Sequence, residues 1–502
     1  MGIPESAARS AAVSGGTGFD AHGRRVLAVC VAAGFTTLLD QSVLNITVPA
    51  LRDSLHAGPT EVQWIVAGYS LAFGLALIPG GRLGDVRGRK PFFLAGLATF
   101  VAIGAVAGSA AHPWVLIAAR LLQGAGAGLV NSQVIGTLQD TFTGQLRTRA
   151  LGMYAVTAGI ATALGPPLGG ALIAAAGPGL GWRLAFLLNA PFGLLTLLLA
   201  ARHLPAARTR AAHADLDLVG LVLVGAMTLL VMLPFVLSSA PGGLKLGLAG
   251  GACALAGLFA VWQRHYARAG RHPLVHPALP RSAPYVLGTV VAMAQFGAGM
   301  ASSLVLAMFL QDGLGLSAMT AAAVSLPNAL AMGATSALAW RVMRRFGRHA
   351  VTVGLAAGTL CLVAGGLTAL HASASALPWL LGLVQLCSGA AYGLVISPNQ
   401  ALVLRHAPPE AAGVAGGILQ MSQRISAAIC VSAISGIYLR GSATVAPAAP
   451  VAYWHAALTC AGLSAVAALV SLLAGRAPAP APAGNSVATG PAVREARPHE
   501  RH

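Results

Sequence analysis

Charge is what this chain has least of. Among 502 residues only 9% are Asp, Glu, Lys or Arg, the acids number 13, and Lys90 and Lys245 are the only lysines. A soluble domain carries about 25% charged residues, so a solvated globular surface is excluded. Aromatic residues make up 6% and are not interleaved with the basic clusters, which argues against a nucleic-acid surface despite a net charge of +18. Six cysteines without metal or redox spacing exclude a disulfide scaffold, and 62 glycines without a triplet period exclude a collagen. Neither HExxH nor GxSxG occurs, so no catalytic constellation supports an enzyme, and no GxxxxGK[ST] loop points to ATP.

What is present is apolar sequence: 56% of residues, at a mean hydropathy of +0.75. A helix of roughly 20 apolar residues spans a bilayer core. Runs of that length occur near 25–48, 61–80, 91–111, 114–136, 148–175, 183–201, 216–237, 244–263, 284–310, 317–339, 350–370, 376–402, 412–438 and 452–475. The expectation is an all-α polytopic membrane protein with fourteen spans. With the N-terminus placed in the cytoplasm, 25 of the 31 Lys and Arg residues fall on the cytoplasmic side and four outside, leaving Arg120 and Arg424 within spans. That bias is the positive-inside pattern and puts both termini in the cytoplasm. The tryptophans, at positions 64, 114, 182, 262, 340, 379 and 454, fall at span ends, where indoles favour the headgroup level. The six cysteines lie within spans and read as buried apolar residues. No cleavable signal is apparent in residues 1–23.

The division expected is a cytoplasmic tail (1–24), a six-helix bundle (25–205), a linker carrying spans 7 and 8 (206–268), a second six-helix bundle (269–475) and a Pro/Ala-rich disordered cytoplasmic tail (476–502). A faint repeat supports two halves: GRLGDVRGRK at 81–90 follows span 2, and WRVMRRFGRH at 340–349 follows span 10. Weak internal symmetry of this kind is a property of transporter halves.

Several motifs carry a family resemblance. Gly81-x-Leu83-x-Asp85-x-x-Gly88-Arg89-Lys90 resembles the signature loop of the major facilitator superfamily. Leu39-Asp40 through Asn45 and Pro49 resembles the first-span motif of its fourteen-span drug/proton antiporters, the EmrB/QacA type. Arg120-Leu121-Leu122-Gln123-Gly124, Gly165-Pro166-Pro167-Leu168-Gly169-Gly170, and Trp182-Arg183 with Phe186, Asn189, Pro191 and Gly193 are similar to the fourth-, fifth- and sixth-span patterns. Phe309-Leu310-Gln311 with Leu326-Pro327, and Pro408-Pro409-Glu410 with Gly413, Val414, Ala415 and Gly417, match in the second half. The resemblance covers about residues 25–475 and implies the major facilitator fold. It also implies a proton-coupled efflux antiporter in a bacterial plasma membrane, without cofactor, driven by the proton gradient. Small amphipathic molecules and protons would be its partners, within the lipid bilayer and without nucleic acid or ATP. A facilitator-fold importer or metabolite transporter, or a transporter-derived sensor, is the alternative reading. The low lysine and high Ala, Gly and Arg content suits a GC-rich bacterium.

The residues themselves suggest roles. Asp40 is the one acid well inside a span, ~22 Å above Arg25, and Arg120 lies ~9 Å below Trp114. In a core ~30 Å thick the two are at similar depth, able to pair directly or through a water or Gln123. They form either a proton-coupling site, since a carboxylate holds or releases its proton according to solvation and the cation beside it, or a static ion pair. Gly81, Asp85, Gly88, Arg89 and Lys90 form either a breakable cytoplasmic gate or a topology signal. For Gly165, Pro166, Gly169 and Gly170 the resemblance implies an antiporter hinge, and ordinary small-residue packing is the alternative. Asn45, Gln123, Asn131, Tyr154, Asn328, Gln420 and Arg424 are substrate-cavity candidates. For Arg424 the options are backbone carbonyls, an aqueous cavity, an anionic substrate group, or snorkelling to an interface. No acid deep in spans 10 or 13 favours a dication.

Overall fold

The computed structural model describes residues 19–205, 216–237, 240–347, 349–408, 412–442 and 448–474. Both expected tails therefore lie almost wholly outside the described residues, as do residues 206–215, Arg348, Pro409 and Glu410. Fourteen long α-helices occur among the described residues: α1 (Ala21–Leu55), α2 (Pro59–Arg87), α3 (Arg89–Gly108), α4 (Pro113–Thr141), α5 (Gly144–Leu187), α6 (Asn189–His203), α7 (Leu218–Val236), α8 (Gly242–Arg268), α9 (Ala283–Met308), α10 (Ala318–Phe346), α11 (His349–His371), α12 (Leu377–Arg405), α13 (Ala412–Ser442) and α14 (Ala448–Ala474). Within a bilayer a helix satisfies its own backbone hydrogen bonds, which is why long apolar runs take this form. Starts are marked by local chemistry. Asp20 caps α1 by accepting from the Gly23 N–H at 2.8 Å, and proline stands in the first turn of α2, α4, α9 and α12. The first helix thus begins four residues before the boundary expected at residue 25.

Spans 5 and 6 are joined more tightly than their sequence suggests. Gly177, at φ 77° and ψ 166°, breaks the helix, and Pro178 restarts it at once. The chain turns so closely that a Cβ at Gly181 would sit 2.6 Å from the Ile173 Cα. The sixth crossing therefore includes the last turns of α5 and then α6. Trp182 thus stands at the start of the sixth span but turns into the protein. It is fully buried, edge-on to Phe186 and beneath Arg183, which donates to the Ala110 carbonyl at 2.7 Å. Trp114 and Trp379 are exposed at helix starts. Cys253 and Cys387 face outward, against the expectation of burial for all six cysteines.

The helices pack in two repeating patterns. In the first half α1 lies against α5, α6 and α4, α2 against α4, and α3 against α4 and α6. In the second half α9 lies against α13, α14 and α12, α10 against α12, and α11 against α12 and α14. Adding eight to each helix number converts one set into the other, so α7 and α8 interrupt a duplicated six-helix unit. The halves meet through α2 with α13 and α5 with α10, contacts that are themselves related by the same exchange. The α7–α8 pair leans on α2 and α13.

We define the proximal end as the one where α1 begins and α14 ends. At the distal end one apolar cluster draws on both halves, from Ile46 and Leu51 to Leu304, Phe309, Ile434 and Tyr438. Arg52 closes it with an ion pair to Asp312 at 2.8 Å, and Gln311 donates to the Ile46 carbonyl at 3.0 Å. At the proximal end the cluster around Val26, Phe93, Val134 and Leu138 belongs to the first half alone, and that around Val351, Leu355 and Val395 to the second. Among the described residues, a cluster along the α2–α13 seam, with Ile78 near Ile418 and Met421, is shared by the two halves there.

Candidate functional site

Asp40 is placed at mid-helix in α1 and is buried, at 3% exposed. Arg120 of α4 reaches it, Nη1 to Oδ2, at 2.7 Å, and is itself 0% exposed. The same Nη1 donates to Gln123 Oε1 at 2.7 Å, while Gln123 Nε2 donates to Asp40 Oδ1 at 3.1 Å. Asn189, at the first turn of α6, donates to Oδ1 at 2.9 Å. Direct pairing and the Gln123 bridge therefore coexist. Three helices beyond α1 converge on one carboxylate, counting α2, whose Tyr69 ring lies 4.0 Å from the Arg120 guanidinium carbon. Arg120 Nε and Nη2 and Asn189 Oδ1 are occluded without a hydrogen-bond partner. A guanidinium so placed relies on the aromatic face and the carboxylate for its stabilisation.

Asn189 appears in the sixth-span pattern but carries no expected role. Its signal is that of an amide in an apolar run, the criterion by which other polar span residues stand out. Gln41 is a second residue that carries no expected role. Asp40 faces α4 and α6, and Gln41, one step around the helix, faces the other half. There Arg424 of α13 donates to Gln41 Oε1 at 2.6 Å. Arg424 is buried, at 7% exposed, and makes no bond to a backbone carbonyl among the described residues; it lies 4.1 Å from the centre of the Phe73 ring and 5.1 Å from that of Phe296.

The remaining candidates are dispersed. Tyr154 donates to Asn131 at 3.1 Å within the first half and fills the space against Gly34. Asn328 donates to the Gln385 carbonyl at 3.2 Å within the second half. Asn45 and Gln420 are half-buried. Gly165 lies against Ser42 and Gly169 against Ile46, so both fit α5 to α1. Gly170 alone faces the other half, where a Cβ would come 2.9 Å from the Ala318 carbonyl oxygen. Pro166 lies in the same uninterrupted stretch of α5.

At the proximal end Gly88, with φ 89°, makes the turn between α2 and α3. Arg89 donates to Asp85 at 2.6 Å and to Asp140 at 2.7 Å, and Lys90 to the Leu204 carbonyl at 3.0 Å. Asp85 pairs with arginine and makes no cap bond to α3. These contacts tie α2, α3, α4 and the end of α6, all in the first half, and a Cβ at Gly81 would meet open space. Among the described residues a contact that leaves this half comes from Arg82, which donates to the carbonyls of His272 and Pro273 at 3.0 and 2.6 Å.

Asp217, at the start of span 7, is buried. It caps α7 through the Gly220 N–H and accepts from Trp262 Nε1 at 2.7 Å, Gln263 Nε2 at 2.5 Å and the Leu274 N–H at 2.8 Å. Burial alone would raise its pKa, but these four donors more than reverse that and hold the carboxyl below its usual range.

Two pseudo-symmetric helical halves, closed at one end over buried charges, define a multi-pass membrane transporter. The chain belongs to the Major Facilitator Superfamily, whose sequence profile matches residues 30–431. It is similar to a protein of Streptomyces coelicolor named "Probable actinorhodin transporter", 32% identical over 426 residues, which span 82% of this chain and 72% of that one. A cephamycin export protein of Amycolatopsis lactamdurans is 32% identical over 445 residues, 87% of this chain and 89% of that protein. Among solved structures, the peptide transporter POT in complex with sulfate superposes with a TM-score of 0.65 at 16% identity, over 90% of this chain and 94% of that one. With bacterial transporters as relatives, this multi-pass chain takes small molecules as its substrates and a plasma membrane as its setting.

Proposed function

We propose that this chain is a proton-coupled efflux antiporter of the fourteen-span drug/proton type, exporting amphipathic small molecules, antibiotics among them, by alternating access. One observation carries the reading: the carboxylate of Asp40 is enclosed in the membrane with Arg120, Gln123 and Asn189 as its donors. An ionisable group at that depth is costly and is usually retained for function. Its proton is the natural cargo of such a site, and Arg120 orients and discharges it. The relatives' names, as exporters of antibiotics, favour the outward direction. The basic bias favours cytoplasmic termini, with the proximal end facing the cytoplasm. One proton entering at 100 mV carries ~2.3 kcal/mol, enough for roughly 50-fold accumulation per charge moved. No nucleotide-binding loop offers ATP as a competing energy source.

The test starts from a growth-inhibition panel in cells with and without the protein, repeated with a protonophore. A compound exported by the wild type is then followed in inside-out vesicles carrying Asp40→Asn. The variant is expected to lose gradient-driven accumulation while retaining compound binding. Accumulation against a gradient with unchanged proton sensitivity in Asp40→Asn overturns the coupling role.

A further inference from the structure

Arg424 is the buried charge that proton coupling does not use. Asp40 is taken up by Arg120, Gln123 and Asn189, and among the described residues Arg424 forms no ion pair. A guanidinium carries five N–H donors, and the described side chains supply one acceptor, Gln41 Oε1 at 2.6 Å. A desolvated cation without a counter-ion is unfavourable, and an arriving anion relieves that cost. The surroundings add shape. Phe73 and Phe296 place their rings 4.1 and 5.1 Å from the guanidinium carbon, forming an aromatic wall beside the charge. The position is also central, since Arg424 belongs to α13 and Phe73 and Gln41 to α2 and α1 of the other half.

We infer that Arg424 is the anion subsite of the transport pathway, taking the carboxylate or phenolate of a substrate whose planar apolar frame lies against Phe73 and Phe296. The inference rests on the efflux reading for the direction of transport but not for the binding chemistry. Gln41 holds the guanidinium in place when no ligand is bound. Because Gln41 adjoins Asp40 in α1, displacement of that hydrogen bond by a substrate anion is felt one residue from the proton site.

The probes are 2-naphthoate and its uncharged counterpart 2-naphthamide, measured by equilibrium dialysis against the full-length protein in nanodiscs. Wild-type protein is expected to bind the carboxylate at least tenfold more tightly. Arg424→Gln removes that preference while leaving 2-naphthamide binding within about threefold, Arg424→Lys keeps part of it, and Gln41→Ala keeps nearly all. Equal binding of the two probes by wild type, binding of neither, or an undiminished preference in Arg424→Gln overturns the assignment. If Arg424 were only a structural tie to Gln41, Gln41→Ala and Arg424→Gln would lose the preference together, or neither would show one. Should Arg424→Gln lose both probes through misfolding, wild type and Gln41→Ala decide alone, a preference below threefold in either counting against the subsite. Asp40→Asn separates this from the efflux reading: it is expected to keep the carboxylate preference while losing gradient-driven transport.

Discussion

Asp40 and Arg120 are each more than nine-tenths buried and 2.7 Å apart, so their energetics are those of a pair rather than of two charges. Removing one member of such a pair leaves an uncompensated buried charge and costs about 3–5 kcal/mol, whereas replacing both with apolar groups of similar volume is often neutral or stabilising. Arg120→Met is therefore expected to lower the thermal midpoint in detergent sharply, because Asp40 keeps only the amides of Gln123 and Asn189. Asp40→Leu combined with Arg120→Met is expected to recover most of that loss while remaining inactive in gradient-driven transport. A double variant no more stable than Arg120→Met refutes the coupled-pair account. Recovery of stability without recovery of transport distinguishes a site kept for function from one kept for folding. The depth of both residues was legible from residue counting at 1.5 Å per residue. Asn189 was harder to place, because the turn at Gly177 and the course of α6 decide which face an amide at the helix start presents.

At the scale of elements, the spans could be read because bilayer thickness imposes a length, and an apolar run of that length has few alternatives. Where two structural roles share one sequence signature, the reading failed. A tryptophan at a span end serves equally as a headgroup anchor or a packed core residue, and Trp182 is the latter because Gly177 folds the chain back at once. An aspartate just before an apolar run serves equally as a solvated loop acid or a cap, and Asp217 is a buried cap whose partners beyond Gly220 lie 45 to 57 residues away. That carboxylate joins α7, α8 and the segment before α9, so its ionisation is linked to the stability of the inserted pair. Its folded-state pKa is depressed, so the stabilisation is complete above the unfolded-chain value and is lost as pH falls through the folded value. Asp217→Asn is expected to unfold at a lower temperature than wild type at pH 7, by the cost of leaving buried donors mispaired, about 1–3 kcal/mol. The gap begins to narrow as pH falls through the unfolded-chain value of about 3.9 and goes on narrowing toward the folded value. Thermal scans of both proteins from pH 7 to pH 3 check this, and a gap independent of pH shows that the charge contributes nothing.

For the molecule as a whole, the duplicated packing explains how a rigid-body exchange is possible: α2 with α13 and α5 with α10 are equivalent seams, and tilting one half on the other opens one end as it closes the opposite one. The closed distal end depends on shared apolar burial, with the Arg52–Asp312 pair as its polar fastening. Asp85, Arg89 and Asp140 pair within one half here, and Arg82 carries the signature loop's contact to the other half through the His272 and Pro273 carbonyls. The distal pair is partly exposed, at 27% and 18%, and an exposed pair contributes about 0.2–1 kcal/mol. That is enough to shift a two-state population up to about fivefold without unfolding either half. Asp312→Asn is therefore expected to raise the open-to-closed ratio at the distal end by about 1.4- to 5-fold. Double electron–electron resonance between spin labels at the exposed starts of α4 (Trp114) and α12 (Trp379) measures the change. Exchanging the charges, as Arg52→Asp with Asp312→Arg, should restore the wild-type distribution, although Asp53 beside the new aspartate weakens the restored pair. A distribution unchanged by Asp312→Asn assigns distal closure to apolar burial alone. One shifted by Asp312→Asn but not rescued by the exchange assigns the role of Asp312 to its place in the π turn of residues 309–313 rather than to its charge.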